Sequence, residues 1–215
     1  MKDFRADEAV KLVKSGDWVF FQGSTAVPVI IQEALARRAD ELRGVNIVSG
    51  FNITKGPAPF CKPEYKDSFF VNSLFLCADQ RQYVAEGYGS LIPGFLGELP
   101  SLIRRHEIPI DVACINCSLP DENGYCSYNI SADLAQPAVE AAKIVIAQVN
   151  KSIPYLYGTA MIHESQITAA IECDDPPVDM QFGPPTEIES AIGSYIAAEI
   201  PDGATLQIGV GGDVR

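Results

Sequence analysis

Basic residues, histidine and long apolar runs are all scarce in this chain. Its 16 Lys and Arg stand against 28 Asp and Glu, a formal net charge of −12 over 215 residues. That balance works against a surface that tracks nucleic-acid phosphates. It still allows one anionic ligand, because a local cradle of backbone N–H groups binds phosphate inside an acidic protein. The two histidines, His106 and His163, lie far apart and no metal-ligand spacing accompanies them, so no metal is expected. No stretch approaches the ~20 apolar residues of a membrane span. The N-terminal MKDFRADEAVKLVKSGD reads as an amphipathic helix, without the apolar core of a signal peptide. A cytoplasmic protein with no membrane or nucleic-acid partner is expected.

What is present is ordinary globular material, 47% hydrophobic and 20% charged, enough for a full core. Six cysteines occur at 61, 77, 114, 117, 126 and 173. Cys114 and Cys117 form a CxxC, but inside an expected strand, where residues three apart face opposite ways. A redox pair belongs at a helix N-terminus, so buried, reduced thiols are expected.

Helical and extended patterns alternate, the mark of an open, largely parallel α/β sheet with flanking helices. Helices are expected at 5–14, 28–39, 79–86, 97–105, 131–142 and 187–199, and strands at 18–21, 45–48, 68–76, 110–117, 144–149 and 204–210. Residues 50–67 read as a long loop of the kind that often carries function. The proline-rich 173–189 reads as a linker, which gives a domain over 1–180 and the start of a second over 181–215. The last strand and its glycine turn, Gly209 to Gly212, are half of a βαβ unit, so that second domain is expected to be incomplete.

The segment DVACINCSLPDENGYCS (111–127) runs a buried strand into a polar turn. Ligands of open α/β sheets bind at strand carboxyl ends, which favours a functional reading of Asn123 and Gly124. The alternative is a plain turn whose Asn-Gly pair supplies a left-handed position.

Several segments together resemble the N-terminal half of the acetyl-CoA hydrolase/transferase family, nearest its 4-hydroxybutyrate and butyrate:acetate CoA-transferases. They are SGDWVFFQGSTAVP (15–28), RQYVAEGYGSLIP (81–93), ELPSLIRR (98–105), DVACINCSLPDENGYCS (111–127), AVEAAKIVIAQVN (138–150), YGTAMIHESQI (157–167) and DGATLQIGVGG (202–212). No one motif is decisive; their order and spacing are. The resemblance implies two similar α/β domains with the active site between them, and ping-pong transfer of coenzyme A from an acyl-CoA to a short-chain carboxylate. It also implies that the glutamate nucleophile lies in the second domain, past the glycine turn. No residue here is therefore assigned as catalytic, and the chain alone is expected to be inactive. The implied partners are an acyl-CoA, a carboxylate, the missing C-terminal domain or subunit, and further copies in a full-length homo-oligomer. Coenzyme A thioester enters as substrate, with no permanently bound cofactor.

Two departures stand out: where relatives carry an arginine and an aspartate near 153–163, this chain has Tyr155 and Thr159. By the resemblance, Gln207, Gly209, Val210 and Gly211 match the strand and turn that approach substrate; the alternative is an ordinary tight turn. Ser24 and Thr25 either line the acyl or carboxylate pocket or cap the helix opening at Pro28. Asn123 and Gly124 are expected to shape the domain interface; Asn52 and Thr54 are weaker candidates. Glu86, Glu98 and Glu122 read as exposed or capping residues, Arg81 as a solvated helix charge and His163 as structural. The alternative function is a non-catalytic CoA- or nucleotide-binding module, or an inactive remnant. A nicotinamide-dependent oxidoreductase, prompted by GVGG, fails because no helix follows those glycines.

Overall fold

A computed structural model of the chain describes residues 4–129, 131–178 and 183–209. The chain divides into two units, 1–179 and 180–215. In the first, the strands are β1 (Trp18–Phe21), β2 (Val45–Ser49), β3 (Phe69–Ser73), β4 (Gly89–Leu91), β5 (Val112–Cys117), β6 (Tyr125–Ser127), β7 (Ile144–Asn150), β8 (Met161–His163) and β9 (Ala169–Cys173). The helices of that unit are α1 (Ala6–Ala9), α2 (Val29–Ala36), α3 (Ala78–Tyr83), α4 (Leu99–Arg104) and α5 (Ala135–Ala141). The second unit holds α6 (Glu187–Ala198).

Among the described residues, seven strands form one sheet in the order β4-β3-β2-β1-β5-β7-β9, and every pairing is parallel. Parallel strands are covered on both faces and so read as unbroken apolar runs. All six residues of VACINC in β5 are buried. One face, built on Val19, Phe21, Ile47, Val71, Cys114 and Ile146, packs against α1, α2 and Tyr83 of α3. The other, built on Phe20, Val48, Ala113, Ile115, Cys117 and Val149, packs against α4 and α5. Cys114 and Cys117 thus face opposite layers, and all six cysteines are free thiols.

The observed elements differ from expectation where local pattern gives way to packing. The first helix is a single turn, Ala6–Ala9, passing into a tighter 3-10 turn at Val10–Leu12. Arg38 closes it, its guanidinium donating to the carbonyls of Val10 and Val13. The helix expected over 131–142 starts only at Ala135, which puts Pro137 in its first turn, where the missing N–H costs nothing. The expected linker begins later than Cys173, because 169–173 pairs with β7. β6 and β8 form a separate antiparallel ladder. Residues 204–209, expected as a strand, form no ladder among the described residues, and an extended segment becomes a strand only with a neighbour.

Asp111 locks the amino edge of the sheet. It accepts from the Trp18 N–H (3.0 Å) and from Lys143 Nζ (2.9 Å), while its carbonyl accepts from Ile144 N–H (3.1 Å). The Trp18 N–H and then the Lys143 ammonium hold its carboxyl below the usual carboxylate range. A lowered folded-state pKa contributes stability that is present above the ordinary value of about 4 and lost as pH falls through the folded one. Asp111→Asn is expected to cost about 1 kcal/mol at pH 7, about 2–4 °C in Tm. The difference should close as unfolding is followed down to pH 2.

Candidate active site

β1 lies where the winding reverses: the chain passes from β1 outward to β2, β3 and β4, then returns to add β5 on the other side. Open α/β sheets bind ligands at the carboxyl ends beside such a switch point. Three segments meet there: 22–27 after β1, 50–54 after β2, and 131–134 before α5.

Gln22, fully buried, closes the gap between β1 and β5. Its Nε2 donates to the carbonyls of Tyr128 and Ser131, both at 2.9 Å, and its Oε1 accepts from Asn116 N–H at 2.7 Å. Every hydrogen on that carboxamide is engaged, so the segment approaching α5 is fixed to the end of β1. Ser24 follows with φ 56°, a left-handed conformation uncommon outside glycine. Backbone pairing holds it there: Ser24 N–H donates to the Phe51 carbonyl, and Ile53 N–H to the Ser24 carbonyl at 3.0 Å. Gly23 makes that approach possible, since a Cβ on it would sit 2.6 Å from the Phe51 oxygen.

A cavity of about 210 Å³ opens at this junction. Phe20, Leu134 and Phe51 form its apolar part with Leu96, and Ser24, Ser131 and Asp133 its polar part. The wall carrying Phe51 is anchored from α3. Asn52 N–H meets Cys77 Sγ at 3.3 Å, Asn52 Nδ2 donates to Asp79 Oδ2 at 2.9 Å, and Gln80 Nε2 donates to Ser49 Oγ at 2.7 Å. Asp79 is buried, which pushes its carboxyl above the ordinary value, while the Asn52 amide pulls the other way.

Of the residues singled out by sequence, Ser24 lines the cavity and Asn52 braces its wall; Thr25 is half-buried beside it. Ser24 and Thr25 do not cap α2, whose first turn has no capping side chain among the described residues. Asn123 and Gly124 form the tip of the β5–β6 connection, away from the cavity lining. Gly124 has φ 81° and donates its N–H to Asp121. Asp121 Oδ1 accepts from the N–H groups of Asn123 and Tyr125, and Oδ2 from the Tyr155 hydroxyl at 2.9 Å. Tyr155, one of the departures, therefore holds this turn, with its own pKa pushed up to about 12 by desolvation and the Asp121 carboxylate. His163 caps a 3-10 turn, accepting from Ser165 N–H. Gln207 and Gly209 lie in the second unit with Gln207 donating to the Ile208 carbonyl, and Val210 and Gly211 lie outside the described residues. Sequence reading missed Gln22, Phe51, Asp79 and Asp133; the one available signal was the place of Gln22 and Phe51 just past the ends of β1 and β2.

Among the described residues no three His, Cys, Asp or Glu side chains gather as a metal would require, and no helix is long and apolar enough to cross a membrane. The thiols of Cys61, Cys77 and Cys114 are raised by burial, and that of Cys117 by its hydrogen bond to Cys126 and by burial.

Residues 2–180 match the acetyl-CoA hydrolase/transferase N-terminal domain. The chain is 37% identical to a 4-hydroxybutyrate coenzyme A transferase of Clostridium kluyveri, over 96% of this chain and 48% of that protein. It is 36% identical to a succinyl-CoA:cyclohexane-1-carboxylate CoA transferase of Geobacter metallireducens, over 95% and 46%. The crystal structure of RipA from Yersinia pestis superposes with a TM-score of 0.89 at 26% identity, covering 98% of this chain and 51% of that one. The chain therefore spans about half the length of the relatives it matches.

Two substitutions test the bracing of this site. Gly23→Ala is expected to cost about 1–3 kcal/mol and to strip hydrogen-exchange protection from the Ile53 amide, because the 50–54 turn must move off Ser24. Asp79→Asn should act with the opposite sign. An acid whose folded pKa is raised loses stability as pH rises through that value, so the variant is expected to melt higher than wild type at pH 8. The gain should vanish below about pH 3, where the wild-type carboxyl is protonated in both states.

Proposed function

This chain belongs to the acetyl-CoA hydrolase/transferase family, and on that premise we propose that it is the N-terminal portion of an acyl-CoA:carboxylate CoA-transferase. The observation that carries this reading is the cavity at the β1/β5 switch point, lined by Ser24 and small enough for a short acyl group. Relatives named for 4-hydroxybutyrate and for succinyl and cyclohexane-carboxylate transfer support the reaction class.

We assign the chemistry as covalent catalysis by a glutamate in the second half of the enzyme. Its carboxylate oxygen attacks the thioester carbonyl, the C–S bond breaks, and coenzyme A leaves as thiolate. The resulting anhydride is attacked at the glutamyl carbonyl by that thiolate, which expels the first carboxylate and leaves a glutamyl-CoA thioester. A second carboxylate runs the sequence backwards. The share of this chain is to hold the acyl tail and exclude water around it, which favours transfer over hydrolysis.

We read residues 181–215 as the linker and opening of the second domain. Thr186 caps α6 through a reciprocal box with Glu189, at 3.2 and 2.7 Å. Along α6, Ile188, Ile192, Tyr195 and Ile196 form an exposed stripe at helical spacing, suited to burial by elements of that domain.

The 215-residue chain is expected to show no CoA exchange between acetyl-CoA and butyrate, and to gain it when a C-terminal half carrying the glutamate is supplied. Exchange by the chain alone would refute the division of labour. A folded but inert pair would refute the assignment, and tight acyl-CoA binding without exchange would point to a binding module.

A further inference from the structure

We propose that at the β1/β5 switch point Asp133 and the Phe20–Leu134 floor select against a second carboxylate, so that this protein favours monocarboxylates over dicarboxylates of the same length. The inference rests on reading that cavity as the acyl pocket.

Size comes first. A volume of about 210 Å³ lies below the ~300–1,000 Å³ usual for small-molecule pockets and equals about seven waters at ~30 Å³ each. It suits an apolar tail of about four to six carbons. Gly50 maintains that space, because a Cβ on it would stand 3.1 Å from Leu134 Cδ1 at the floor.

Charge comes second. A dicarboxylate carries one carboxylate at the reacting end and must place the other somewhere in the cavity. At the floor it meets Phe20 and Leu134, 1% and 6% exposed, and no donor. At the rim it meets Asp133. No Lys, Arg or His lines the cavity among the described residues, and Asp133 joins no ion pair there. Of the donors nearby, the Ser24 hydroxyl is neutral and the others are spent. Ser131 Oγ–H donates to Asp133 Oδ1 at 3.2 Å, both Nε2 hydrogens of Gln22 go to carbonyls, and Asn116 N–H goes to Gln22. A second carboxylate therefore finds one neutral hydroxyl and no cation, beside an apolar floor or a like charge, and either is unfavourable. An apolar tail incurs neither penalty. Because Gln22 ties the Ser131 carbonyl to β1, Asp133 cannot simply swing away with its loop.

The test is titration of the isotopically labelled chain with butyrate and with succinate in 0.15 M salt, which screens the overall negative charge. Amide shifts of Ser24, Phe51 and Leu134 are the readout. Butyrate is expected to bind at least tenfold more tightly than succinate. Asp133→Asn should narrow that ratio, and adding Leu96→Arg, at a wall position 60% exposed and so tolerant of change, should bring it to about one or invert it. Asp40→Asn, a surface carboxylate elsewhere, should leave it unchanged. Equal binding of the two acids by wild type, or a ratio indifferent to both cavity substitutions, overturns this inference alone. No shift at those amides with butyrate up to 100 mM, in a chain that remains folded, overturns the reading of the cavity as an acyl pocket, and this inference with it.

Discussion

Parallel pairing of β1 with both β2 and β5 is the constraint on which the rest of the molecule depends. Two parallel neighbours force two crossovers of the same hand, so the helices that follow β1 cover one face and those that precede and follow β5 cover the other. All carboxyl ends then fall on one edge, and the chain leaves β1 in the gap where the winding reverses. That gap must be filled without sealing the edge. Gln22 fills it with three hydrogen bonds to backbone from β5, from Tyr128 and from Ser131. Ser24 turns away in a left-handed conformation whose cost is offset by pairing with the Phe51–Ile53 backbone. The cavity is what remains between those two anchors.

The amino edge solves the opposite problem. There Asp111 gathers β1, β5 and β7 through one carboxylate and one carbonyl, and the exposed side chains around it are charged, among them Lys14, Arg43 and Lys143. Rigidity at this edge fixes strand register, and register fixes which residues reach the other end. A one-residue slip of β1 against β5 would invert Phe20 and Phe21 between the two layers and take Gln22 out of reach of Asn116.

Much of this was legible in the sequence, and the division between legible and hidden is physical. WVFF, VACINC and IVIAQV announce themselves because strands covered on both faces are apolar at nearly every position, Asn116 and Gln148 being the exceptions. β4, with only Gly-Ser-Leu, and the β6–β8 ladder carry no such pattern; their partners define them. The run 204–209 shows the converse, strand-like residues without a ladder. Ser24 was legible as a candidate because it belongs to the small, polar Gly-Ser-Thr turn after a recognisable strand. Gln22, Phe51 and Asp133 were not, since the Gln22–Ser131 bond spans 109 positions and only the crossovers bring its ends together. Asn123 and Gly124 drew notice for turn chemistry that is there, and that chemistry is engaged with Asp121 in the β5–β6 connection.

Exposed apolar side chains make a final asymmetry. Phe51, Phe75, Leu91, Phe95 and Leu96, 43–79% exposed, all follow or end strands β2, β3 and β4 at the carboxyl edge, and Phe51 meets Phe75 edge to face at 5.4 Å. Burying a side chain of this size stabilises a protein by about 1.5–3 kcal/mol, so leaving five of them in water forgoes stability the unit could have used. Their position beside the cavity gives a reason. Apolar walls around a cavity must be held in place while they face water. The anchoring of the Phe51 turn to buried Asp79 and Cys77 does that. An unfavourable buried carboxyl is accepted so that an apolar surface stays in place at the carboxyl edge.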